Sequence, residues 1–256
     1  MALKQRFLFF FIIISTLTAC TTLDPKREEL ASVKMQMGLA ELQRGDLPLA
    51  LKILLEAEEI NPRSAPLQNN LGLVYFFRKK YDLSIQHFSK AVDLDAKFSE
   101  ARNNIGRVYL EIRDYQKAEK ALEPVVEDLT YANFVSSYNN MGLAKFNLKK
   151  FSEALTYFTR SVESLKEDCF SQLYFGRTLL ELKRNKLAAA RLDLAGYYCR
   201  QSKIDEAQYY AAIAYYRLGR VDVSLNRFND VIKYYENGPN KENAREMIQM
   251  IEKDLK

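Results

Sequence analysis

Small and apolar residues recur along this chain at a fixed long period. Gly38, Gly72, Gly106, Gly142 and Gly176 stand 34, 34, 36 and 34 residues apart, and Ala212 takes the same place 36 residues further on. Twelve residues after each comes a small side chain: Ala50, Ser84, Ala118, Ala154, Ala188 and Ser224. Four residues later stands a large apolar one: Leu54, Phe88, Leu122, Phe158, Leu192 and Phe228. No alternating Val/Ile/Thr stretch bounded by turn residues interrupts the pattern, so it predicts helices. Two antiparallel helices of about 14 residues approach closely only where Gly or Ala sits at the crossing, and the large residues fill the layer between successive pairs. The prediction is therefore an all-α stack of six helix pairs over residues 31–238, with pairs starting near 31, 65, 99, 135, 169 and 205. Ala244, Met247, Ile248 and Ile251 share one face of a final segment, 239–256, whose other face is charged. That segment reads as a helix capping the open end of the stack.

These residues resemble the tetratricopeptide repeat. The first repeat supplies Gly38, Ala50, Ala57 and Pro62, the second Gly72, Tyr75, Phe88 and Ala91, the third Gly106, Tyr109 and Ala118. The chain departs from the pattern in having no Trp, in ending only its first repeat with proline, and in two-residue expansions before repeats four and six. The resemblance implies a right-handed superhelix, a solenoid whose inner wall is lined by the first helix of each pair at positions 2, 5, 6, 9, 12 and 13. Those positions hold Leu39 and Leu42; Asn69, Asn70, Leu73, Phe76 and Phe77; Asn103, Asn104 and Arg107; Asn139, Asn140, Leu143 and Phe146; then Tyr209, Ile213 and Tyr216. Three Asn pairs at one register suggest amides open to a client backbone, since an amide both donates and accepts. Apolar surface beside polar anchors is a partner-site signature, although each aromatic could equally pack against the next repeat. Arg107, Arg177 and Arg217 are the wall's cations, so a lysine clamp for a C-terminal carboxylate is not expected.

The N-terminus reads as an address. Lys4 and Arg6 precede the apolar run Phe7–Ile14, and small residues follow up to Cys20. The run is about half of the roughly 20 residues a spanning helix needs, which favours a signal peptide over residues 1–19. Leu17-Thr18-Ala19-Cys20 resembles the lipobox of bacterial lipoproteins, which implies cleavage and a covalent acyl-lipid anchor on Cys20. Thr21 after the cysteine favours the outer membrane, and residues 20–30 read as the lipidated Cys and a polar tether.

Charge and composition add exclusions. The formal net charge of +5 falls to +3 without Lys4 and Arg6, too weak and too dispersed to suggest a nucleic-acid partner. His87 is the one histidine, and it precedes the packing residue Phe88, so no usual metal or triad constellation is available. No Gly-rich phosphate loop is left over, because the glycines mark helix crossings. Neither catalytic residues, nor a metal, nor a cofactor, nor a small-molecule substrate is expected. Cys169 and Cys199 fall at the start of the first helix and the end of the second helix of repeat five, ends that an antiparallel pair brings together. An intra-repeat disulfide or two half-buried thiols both fit.

A lipobox, a short tether, six repeats and a capping helix together resemble the PilF/PilW-type pilotins of the type IV pilus system. The resemblance implies a lipid-anchored protein on the periplasmic face of the outer membrane that binds subunits of the pilus secretin and promotes their multimer assembly, with the first repeats, including Leu39, Asn70 and Arg107, contacting the client. A scaffold for peptidoglycan enzymes or other envelope machinery is the alternative within the same class, and a cryptic hydrolase is the alternative outside it.

Overall fold

The computed structural model describes residues 24–255, which form helices throughout. The pairs are α1 (Pro25–Arg44) and α2 (Leu47–Ile60), α3 (Ala65–Phe77) and α4 (Tyr81–Leu94), α5 (Ser99–Glu111) and α6 (Tyr115–Val126). They continue as α7 (Phe134–Asn147) and α8 (Phe151–Ser164), α9 (Cys169–Glu181) and α10 (Asn185–Tyr198), α11 (Glu206–Arg217) and α12 (Val221–Tyr234). Helix α13 (Lys241–Asp254) lies on the last pair. This is the all-α repeat stack that the period predicts. The expected signal peptide (1–19) and the expected lipidation at Cys20 fall outside the described residues.

Each crossing is made where the sequence places it. A β-carbon on Gly72 would stand 2.5 Å from the ring of Phe88, and one on Gly106 would stand 2.5 Å from Leu122. The missing side chain is what lets the paired helix sit so close. Ser84 and Ser224, which replace Ala at the facing position, donate their buried hydroxyls to the carbonyls of Gly72 (2.8 Å) and Ala212 (2.9 Å).

Pair-closing turns repeat the same geometry. Each puts one residue in the left-handed region: Gly45, Lys79, Arg113, Lys149, Lys183 and Gly219. Only the first and last turns use the residue that adopts this conformation without steric cost. The cationic runs at these turns are thus exposed helix ends.

Two expectations about the chain's course change. Residues 25–30 are not tether: α1 begins at Pro25, with the Asp24 side chain accepting from the Lys26 amide. Proline at the first helical position after an Asp cap is a start signal, because its missing N–H is one the helix would leave unpaired anyway. The expansion before repeat four takes the form of a long connection, since α6 carries Pro124 and stops at Val126 while α7 starts only at Phe134.

Candidate partner-binding groove

The first helices of successive pairs contact one another along the stack (α1 with α3, α3 with α5, and so on to α9 with α11), whereas the second helices show no comparable contact. The first helices therefore crowd onto one wall, and the residues chosen from the repeat register lie on it.

The asparagines on this wall do not stand open. Asn104 Nδ2 donates to Asn69 Oδ1 at 3.0 Å, and Asn140 Nδ2 donates to Asn103 Oδ1 at 3.0 Å. Asn69, Asn103 and Asn104 are only 3%, 3% and 5% exposed, and Asn70 is buried with them. Asn69 also donates to Glu100 (3.4 Å), while Asn139 donates to Asp168 (3.1 Å) and accepts from the hydroxyls of Ser161 and Ser171. The expected ladder of free amides is in fact a staple: position 5 of one repeat accepts from position 6 of the next. Neighbouring first helices lie close enough for two short amides to meet, and burying them is affordable only because they pair with each other.

The apolar members and cations are likewise shared with the stack. Leu39, Leu42, Leu73, Leu143, Phe76 and Phe146 are half-buried, and Leu42 packs on the core formed by α2 and α3. The Arg107 guanidinium lies over the Phe76 ring at 5.0 Å and donates to Asn104 Oδ1 at 3.2 Å. Burial pushes its pKa below the ordinary arginine value. Arg177, at the same register two repeats on, is caged by Phe146 (5.3 Å), Tyr174 (4.7 Å) and Tyr210 (4.3 Å). Arg217 donates to the Leu180 carbonyl at 3.1 Å.

What stays open is further along. Between α7 and α9 lies a hollow of about 370 Å³ lined by Asn133, Val135, Ser136, Asn139, Asn140, Leu165, Asp168 and Phe170. Leu165 at its edge is 48% exposed, and Asn140 is half-buried. The hollow thus combines an apolar rim with amide groups and the Asp168 carboxylate, a lining that suits an extended chain segment. Its far wall is pinned, because Cys169, next to Phe170 and Asp168, is joined to Cys199 by a disulfide with the two Cα atoms 4.9 Å apart. Of the residues read from the sequence, Asn139 and Asn140 meet here. Val135, Ser136, Leu165 and Phe170 were not singled out, although Ser136 and Phe170 occupy position 2 of their repeats and the register alone could have found them. On the near side the long α6–α7 connection brings Tyr131 over Asn103 and Arg107. Burial, reinforced by Glu100, pushes the Tyr131 phenol up to about 12, so it stays protonated.

His87 is half-buried and is spent on structure. Its Nδ1 shares a 2.8 Å hydrogen bond with Gln68 Oε1, its ring stacks on Tyr75 at 5.1 Å, and Gln68 donates to Glu58. Among the described residues, no group of three or more His, Cys, Asp or Glu could hold a metal ion, and no helix is long and apolar enough to cross a membrane.

Comparison with known proteins agrees with this geometry. Tetratricopeptide repeat families match residues 63–127, 135–167 and 206–238. The chain is 28% identical over 160 residues to the type IV pilus assembly protein PilF of Pseudomonas aeruginosa, a match that spans 59% of this chain and 64% of that relative. The solved structure of Pseudomonas aeruginosa PilF superposes with a TM-score of 0.77 at 22% identity, covering 87% of this chain and 99% of that one. A structure of PilW, described as a widely conserved type IV pilus biogenesis factor, superposes with a TM-score of 0.74 at 14% identity over 84% of this chain and 98% of the other.

Proposed function

We propose that this chain, a tetratricopeptide-repeat protein of the PilF/PilW type, is a non-catalytic pilotin: a lipoprotein that holds subunits of the type IV pilus secretin and promotes their assembly at the outer membrane. One observation carries the reading. The inner wall of a stack related to a type IV pilus assembly protein leaves a hollow between α7 and α9 with an apolar rim at Leu165 and Phe170 and the amides of Asn139 and Asn140 beside them, and no metal-holding cluster stands among the described residues.

The mechanism is capture and concentration. A client segment laid along α7 and α9 would cover Leu165 and Phe170 and take hydrogen bonds from the amides of Asn139 and Asn140. The wall beneath is already paired and caged, so little ordering remains to be done on binding. Lipidation of Cys20 would restrict the complex to the membrane surface, where the effective concentration of one subunit for the next rises without any new contact. The anchor supplies affinity for the membrane through its buried methylenes, each contributing about 0.8 kcal/mol.

Deleting the gene and examining unheated membrane extracts for secretin multimers tests the reading. The expected result is loss or mislocation of the multimer, restored by the intact chain and restored poorly by Leu165→Glu. Multimers of normal amount and location in the deletion strain would overturn it.

A further inference from the structure

The two ends of the stack differ. At the C-terminal end α13 buries Ala244 and Ile251 against the last pair and turns a charged face outward. Among the described residues, nothing comparable covers the N-terminal end. In α3, Leu67, Leu71 and Val74 are at most 1% exposed and pack on α2, the second helix of the preceding pair. The same register is buried in α7 (Ser137, Met141, Ala144) and α11 (Ala207, Ala211, Ala214). Thirty-four residues before the α3 set stand Val33, Met37 and Ala40 of α1, the first helix of the described residues. Val33 is 47% exposed and Met37 53%, and Leu30, one turn earlier on the same face, is 49% exposed. A solenoid end normally carries a polar outer face, and this one carries an apolar stripe.

The chain itself narrows what can cover the stripe. Cys20 to Leu23, fully extended, reach about 14 Å. Met37 lies about 18 Å along the axis from the first turn of α1. The segment between the anchor and the helix is therefore too short to reach Met37 at the far end of the stripe, and Leu23 is its one large apolar residue beyond the cysteine. That same shortness holds α1 within a few residues of whatever Cys20 is attached to. Lys26 lies in line with the stripe near the N-terminus of α1, while Arg44 at its C-terminal end is paired with Glu41 at 2.7 Å.

We propose that the exposed face of α1, Leu30, Val33 and Met37, docks on the lipid surface to which the chain is anchored, the membrane standing where a preceding helix pair would pack. The inference rests on the anchor reading at Cys20. An apolar helix face settles at the headgroup boundary, and a nearby lipid chain makes even a weak contact of this kind persistent. The consequence is a fixed orientation: α1 lies on the membrane, and the hollow between α7 and α9 is carried away from it, towards the periplasm.

The test places photoreactive benzoylphenylalanine at position 33, at position 37, and as a control at the exposed Gln86 of α4, in the full chain made in its own cells. Phospholipid adducts, read by mass spectrometry of the α1 peptide, are expected severalfold above the control. A gel-shifted adduct to another protein or to a second copy, an adduct to residues 1–19, or a lipid yield no greater than at position 86 would each overturn the docking. The mass of the N-terminal peptide separates the two readings. A lipidated Cys20 without lipid adducts on α1 defeats the docking alone, and an unmodified Cys20 defeats the anchor and the docking with it.

Discussion

Lysine or arginine closes four of the six turns between paired helices in a conformation that suits glycine. Lys149, with φ at 59°, is exposed, and its counterparts Gly45 and Gly219 show what the turn prefers. Left-handed backbone costs a non-glycine residue on the order of 1 kcal/mol or more, while glycine brings a larger unfolded-state entropy that offsets part of the gain. Lys149→Gly should therefore stabilise the protein by about 0.5 kcal/mol, read as a higher urea midpoint at unchanged slope. His87 makes the pH-sensitive contact. Burial, with Lys90 adding to it and Glu58 opposing, holds its pKa below the ordinary 6.5. The unfolded chain then takes up a proton before the folded one does, so stability present above about pH 6.5 is lost as pH falls through that window. In His87→Gln the thermal midpoint should decline less between pH 7.5 and 5.5 than in the parent; an identical decline would show that His87 is not the group responsible. The repeat period places both residues and is silent on both roles. The left-handed corner between α7 and α8 and the partner that His87 finds on α3 both depend on how paired helices dock, which a list of residues does not contain.

Between elements, the asparagine staple and the disulfide fix how one pair meets the next. Removing the Asn103 side chain leaves the Asn140 amide without its acceptor in a half-buried place, so Asn103→Ala should cost about 1–2 kcal/mol of stability. An unchanged denaturation midpoint would mean the amide is free after all, as the register alone suggests. The Cys169–Cys199 bond closes a loop of 30 residues within one pair. Its removal by Cys169→Ser/Cys199→Ser should cost about 3–4 kcal/mol before any relief of strain, with the loss concentrated in amide exchange of α9 and α10. Helix existence and pairing were legible from the period because a crossing glycine and its facing leucine or phenylalanine are each single-residue requirements. The role of the Asn series was not, since a polar residue on the inner wall looks the same in sequence whether it faces a client or a neighbouring helix, and only the spacing of α3, α5 and α7 decides.

For the whole molecule, the stack pairs its inner-wall amides with one another from the second repeat to the fourth and leaves a hollow between the fourth and fifth. The sequence directs attention to Leu39, Asn70 and Arg107, where the amides and cations are conspicuous, whereas the hollow owes its opening to the long α6–α7 connection and to the disulfide-pinned start of α9. The central claim is that this hollow holds a secretin segment. The most direct measurement is an equilibrium titration of purified pilus secretin subunits against the chain and against Leu165→Glu, whose substitution lies at an exposed rim and leaves the staple intact. Saturable binding weakened by roughly tenfold, about 1.4 kcal/mol, in the variant is the predicted result. No binding to the parent chain, or equal binding to both, would contradict it.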